Sequence, residues 1–117
     1  MRCDICIDVD DVAAAVKFYG DGIGLEVVKA EQDWAQVKIG EQTIWIMKIA
    51  AGPAGEITRS YHRHWTPVHL DFHVKDIDAV IARAIAAGGK LENRPKPQLA
   101  NLSDPSGNGV DLVKAND

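Results

Sequence analysis

The chain has 117 residues, a hydrophobic fraction of 46%, a charged fraction of 26% and a formal net charge of −4. That is the composition of one soluble globular domain, long enough to bury a core without disulfides or a structural metal. It carries no basic run and no apolar run near the ~20 residues of a membrane span. Nucleic acid and membrane are therefore not expected partners, and with no signal peptide ahead of the first strand the cytoplasm is the expected location.

The first segment, "CDICIDV", alternates. Cys3, Ile5, Ile7 and Val9 share one face; Asp4, Cys6 and Asp8 share the other, as in a half-buried strand. The C-x-x-C spacing of Cys3 and Cys6 therefore splits across two faces, and no second pair exists to complete a zinc site. Reduced thiols are expected. Asp10 or Asp11 can cap the helix "VAAAVKFYG", which the glycines of "GDGIG" end. "LEVVKA" reads as a short strand, and "WAQVKIG" with "QTIWIMKI" as a hairpin turning at Gly40 and Glu41.

Residues 51–65 show no period and open on glycine, proline and alanine, so they read as a connector. Then the pattern restarts. "VHLDFHV" alternates, Asp76 can cap the helix "IDAVIARAIAAGG", "KLENR" is a short strand, and "LANLSDPSGNGVDLVKA" is a second hairpin. The halves align at an offset of 65: Asp4 falls on His69, Val9 on Val74, Asp11 on Asp76, and Gly24 on Gly89. This internal repeat predicts an α+β fold of two tandem βαβββ modules, about 1–50 and 66–117, within a single domain spanning 1–117.

All four histidines lie in 62–73. Alternation places Val68, Leu70, Phe72 and Val74 toward a helix and His69, Asp71 and His73 on the opposite face. His62 and His64 stay in the connector, solvated or lining an entrance. By the same rule Trp45 and Asp111 lie on the polar faces of their strands, beside Asp4, Cys6 and Asp8.

The segments "DVDDVAAAVKFYGDGIGLEVV", "HLDFHVKDIDAVIARAIAAGGKL" and "LSDPSGNGVDLV" resemble the vicinal oxygen chelate superfamily, which includes glyoxalase I, bleomycin-resistance proteins, fosfomycin-resistance enzymes and extradiol dioxygenases. The resemblance implies sheets curled around a central cup with helices outside, a small-molecule ligand within, and a homodimer, sometimes with modules exchanged. It carries four metal-ligand positions onto Asp4, Trp45, His69 and Asp111. Tryptophan cannot bind a metal, so true glyoxalase I activity is not expected. The three-ligand pattern leaves Asp4, His69 and Asp111 for a divalent ion such as Mn, Fe, Zn or Ni, serving a lyase, isomerase, transferase or dioxygenase. Asp111 or Asp8 would be the general base.

The alternative is a metal-free binding protein for a drug or antibiotic. Asp4, His69 and Asp111 would then be a charge cluster, and Trp45 the floor of an apolar pocket. In either case Asp71 and His73 are candidate ligand contacts. Arg59, Tyr61 and Trp65, at the end of the connector, would close over the cup or pack at a dimer interface.

Overall fold

A computed structural model describes residues 1–116. The first module runs β1 (Ile5–Val9), α1 (Val12–Val16), β2 (Glu26–Ala30), β3 (Trp34–Ile39) and β4 (Gln42–Lys48). A hairpin, β5 (Gly52–Ala54) and β6 (Ile57–Arg59), lies between the modules. The second module runs β7 (Leu70–Val74), α2 (Ile77–Ala86), β8 (Lys90–Lys96), β9 (Leu99–Ser103) and β10 (Gly109–Lys114). Each module forms a four-stranded sheet, in the orders β1-β4-β3-β2 and β7-β10-β9-β8. The βαβββ repeat is thus present twice, with the first and last strands of each module paired in parallel.

The caps lie where aspartate offers an oxygen to an orphan helix N–H. Asp11 accepts from the Ala14 amide at 3.0 Å, and Asp76 accepts from the Ala79 amide at 3.1 Å. The first helix departs from the sequence expectation of a plain helix. Beyond Val16 it widens into a π-helical stretch, Lys17–Ile23, that ends at Gly24 with φ 98°. Gly20 and Gly22 sit in that stretch, and glycine weakens regular α winding.

Two further departures concern strands. The connector is not featureless: Gly52–Ala54 pairs with Ile57–Arg59 across a turn at Gly55, φ 69°. Three-residue strands are too short to show a period. β8 extends two residues past "KLENR" and includes Pro95, which an edge strand with register shifts tolerates.

The apolar faces of both sheets pack on the helices in one core. Val9, Val37, Ile44 and Ile46 come from the first sheet, Phe72, Leu102, Val110 and Leu112 from the second, and all are buried. Phe18 and Tyr19 lie fully buried in the same core, edge to face with centroids 4.8 Å apart. The modules meet closely at two glycines. A Cβ on Gly22 would lie 3.0 Å from the Ala84 Cα, and one on Gly89 would lie 2.3 Å from the Phe18 ring. The core therefore fixes the faces: every strand side chain turned away from it belongs to a polar face.

Candidate functional site

Register builds the site on the second sheet. Asp71 on β7 is paired with Asp111 on β10, and Asp111 with Asn101 on β9. The three side chains therefore form a row across three strands. His69 lies just before β7, two residues from Asp71 and so on the same face. Its Nδ1 is 2.7 Å from Asp71 Oδ1 and 3.3 Å from Asp111 Oδ2. Asn101 donates to the other Asp111 oxygen at 2.7 Å, which holds that carboxylate in place. His69, Asp71 and Asp111 can each turn a ligand atom to within 4.8 Å of the others. One imidazole nitrogen and two carboxylates suit a divalent cation of the Mn, Fe or Zn type, so the donor set fits.

Asp4 does not join this group. It precedes β1, in the other sheet, where Arg2 binds it at 2.7 Å and the Trp45 indole N–H at 3.0 Å. Arg2 first and Trp45 second hold its carboxyl below the ordinary carboxylate range. Trp45 packs beside Trp34, with centroids 5.9 Å apart. The metal triad expected from sequence is thus divided: His69 and Asp111 are together, Asp71 stands beside them, and Asp4 is engaged elsewhere. His73 is exposed on the same face of β7 as Asp71.

Asn101 was not singled out in the sequence, although a signal was there. Alternation in "LANLS" buries Ala100 and Leu102 and turns Asn101 to the polar face. What alternation does not reveal is its partner, because register across a sheet is a tertiary property.

Between β1 and β7 lies a cleft of about 680 Å³. Its lining includes Ile5, Ile7, Leu70 and Val110, together with Cys6, Asp8 and His69. The connector roofs it with Ile57, Arg59, Tyr61, His64 and Trp65. Arg59 pairs loosely with Asp8 at 3.4 Å, and Tyr61 donates to the Ile49 carbonyl. Burial first and the nearby Asp8 charge second push the Tyr61 phenol up. Trp65 is 81% exposed, so it lies on the roof with its ring in solvent. Both cysteines are free and exposed, and Cys6 is on the cleft wall.

The turn after β9 ties the connector to both modules. Asp104, only 4% exposed, accepts from the Tyr19 hydroxyl at 2.6 Å and from the Ser106 and Asn108 amides. Asn108 reaches the Asp8 carbonyl on one side and His64 on the other. Ser106 donates to Asp10 at 2.7 Å.

The family model described as "Glyoxalase-like domain" matches residues 4–113, nearly the whole chain. The chain belongs to the glyoxalase-like domain family. Its fold is that of the vicinal oxygen chelate superfamily. The chain is 30% identical over 111 residues to the anthracycline biosynthesis protein DauV of Streptomyces sp. (strain C5). That match takes in 90% of this chain but spans only 38% of the length of the Streptomyces protein. Among solved structures it is similar to a glyoxalase/bleomycin resistance protein from Albidiferax ferrireducens T118. There the TM-score is 0.70 at 25% identity, with 98% of each chain covered. The fosfomycin resistance protein FosX of Listeria monocytogenes shares the fold, with a TM-score of 0.72 at 17% identity and 100% and 92% of the two chains covered. No helix among the described residues of this glyoxalase-like chain is long and apolar enough to cross a membrane.

Proposed function

We propose that this glyoxalase-like chain is a divalent-metal-dependent protein acting on a small oxygen-bearing molecule bound in the cleft between β1 and β7. The observation that carries this reading is the convergence of His69, Asp71 and Asp111 within 4.8 Å, with His69 also on the cleft wall. These three residues would hold the ion, and a bound ion would polarise a substrate oxygen as a Lewis acid. Asn101 orients Asp111, so that carboxylate needs no reorganisation to serve as a ligand. Asp8 lines the cleft from β1, paired there with Arg59, and would take the proton. The apolar walls exclude water from the substrate's body.

A homodimer fits the same reading. β1 and β7 each form one edge of their sheet, and Ile57, Trp65 and Val68 leave large apolar surfaces exposed. Unpaired edges and apolar side chains of this kind are covered by a partner in stable assemblies. A second copy would also supply the cover that the open sheets lack.

The test is elemental analysis of protein purified without an affinity tag, followed by calorimetric titration of the stripped protein with Mn²⁺ and Zn²⁺. Stoichiometric binding that vanishes in His69→Ala is the expected result. Failure of wild type to bind either ion would overturn the reading.

A second reading draws on the first sheet. Trp45 occupies a position where the superfamily has a ligand, and its indole satisfies Asp4. With Trp34 beside it, that face offers an aromatic surface to a flat ligand. The name of the Streptomyces relative, an anthracycline biosynthesis protein, agrees with a flat aromatic ligand. On this reading the protein binds or processes such a molecule without a metal. A cytoplasmic location is proposed for either reading.

A further inference from the structure

The hydrogen bonds around His64 set a condition on its ring. Nδ1 lies 2.8 Å from the His62 carbonyl oxygen, which can only accept. Nε2 lies 2.8 Å from Asn108 Oδ1. An amide can be turned over in principle, but here its orientation is fixed. Asn108 Nδ2 faces the Asp8 carbonyl and Asp104 Oδ2, each at 3.0 Å, and both are acceptors. Turning the amide would set its oxygen against two other oxygens. Both ring nitrogens of His64 therefore face acceptors, and a neutral imidazole has only one N–H to give. The arrangement is complete only when the ring carries both protons.

A second observation supplies the matching charge. Asp104 is buried and accepts from Tyr19, Ser106 and Asn108, all of them neutral donors. Among the described residues it has no ion-pair partner within 4.0 Å. A buried carboxylate without a counter-charge is costly. His64 can supply one through this network, with the Asn108 amide bridging the two.

We infer that His64 is a proton-operated latch that holds the connector over the cleft. While both nitrogens donate, the ring bridges His62 and Asn108 and locks residues 62–64 to the turn after β9. When the ring loses one proton, one contact becomes oxygen against a nitrogen lone pair, and the latch releases. The direction follows: the roof is closed while the ring carries both protons and loosens when rising pH removes one.

Other charged groups face this region. Arg63 bonds the His64 carbonyl and pairs with Glu92 of β8 at 2.6 Å. Arg59, paired with Asp8, lines the cleft with Tyr61 and His69. Arg63 and Arg59 each have an acidic partner; His62 and Asp10 also face this region, and Asp10, held by Ser106 beside Asp104, adds to the negative charge that His64 answers. The latch needs no metal, so its failure and that of the metal reading are separate.

The experiment uses the full chain. Histidine ring ¹⁵N shifts and backbone amide exchange of residues 60–66 are followed from about pH 5.5 to 8.5, with exchange corrected for its intrinsic pH dependence. The expected result is a His64 ring protonated at both nitrogens at the low end. Loss of that state should coincide with exchange in 60–66 faster by about tenfold, the worth of one charge-assisted hydrogen bond. His64→Gln, which cannot place two donors on these acceptors, should exchange fast at every pH while keeping its far-ultraviolet circular dichroism. His62→Ala, which retains the carbonyl, should behave as wild type. A neutral His64 ring beneath a connector that stays protected would overturn the inference. So would a His64→Gln variant that keeps the wild-type pH dependence.

Discussion

The Tyr19 hydroxyl donates to Asp104 at 2.6 Å, joining the first helix of one module to the last turn of the other. The bond spans 85 residues of sequence and lies in the core. Burial first, and then the Asp104 charge, push the Tyr19 phenol well above its ordinary value. The sign is clear: folding favours the neutral phenol, so this contribution is intact below the unfolded pKa of about 10 and is lost as pH rises further. Alkaline unfolding should therefore coincide with tyrosinate absorbance, and Tyr19→Phe should uncouple the two. The same substitution should cost about 1–3 kcal/mol in urea unfolding near neutral pH, because it strips a donor from a buried carboxylate.

The metal reading separates residues that the sequence grouped together. His69→Ala and Asp111→Asn should each weaken Mn²⁺ binding by at least about 100-fold, and Asp71→Asn should weaken it clearly. Asp4→Asn should leave binding near wild type, since Arg2 and Trp45 already occupy that carboxylate. Calorimetry on the four variants checks this. Loss in Asp4→Asn with full binding in Asp71→Asn would restore the triad expected from the sequence.

Trp45→Phe keeps the ring and removes the N–H. The Asp4 carboxyl should then titrate closer to the ordinary carboxylate range, with Arg2 still holding it below. Its depressed value gives a contribution that is present above the unfolded carboxylate pKa and fades as pH falls through the folded one. Carboxyl ¹³C shifts through an acid titration measure the change directly.

Gly89→Ala should destabilise the fold by about 1–3 kcal/mol through overpacking. The added Cβ would meet the Phe18 ring at 2.3 Å and the Ala84 carbonyl at 3.0 Å. Thermal unfolding gives the number, and Gly40→Ala is the control. Its Cβ meets nothing within 4 Å, leaving only the strain of φ 56°.

Sedimentation at micromolar concentration tests the assembly. A species of twice 12.7 kDa is expected, and Trp65→Asp should shift it toward the monomer, since that ring is 81% exposed. A monomer at all concentrations would remove the second copy from the proposal.

The fold was legible because the repeat and the alternation are local properties. "CDICIDV" and "VHLDFHV" state their own faces, and Asp11 and Asp76 mark the helix starts. The candidate site was half legible for the same reason. Alternation placed His69, Asp71 and Asp111 on polar faces, but only register brings Asp71 beside Asp111 and sets Asn101 next in the row. The division of Asp4 from His69 depends on how two sheets sit together, and no period encodes that. His64 was the hardest to read. Its partner Asn108 is 44 positions away, and the meaning of that contact rests on what Asn108 touches in turn.

The strand alternation has a consequence for how such a protein changes over generations. Val9, Ile44, Phe72 and Leu112 hold the sheets to the helices, and none of them lines the cleft. Cys6, Trp45, Asp71 and Asp111 lie on the opposite, polar faces, outside that core. A substitution in the second set alters the chemistry on offer with little penalty in folding, while the first set stays under constraint. The scaffold can therefore be retuned to a new small molecule one outward position at a time, without passing through an unfolded ancestor.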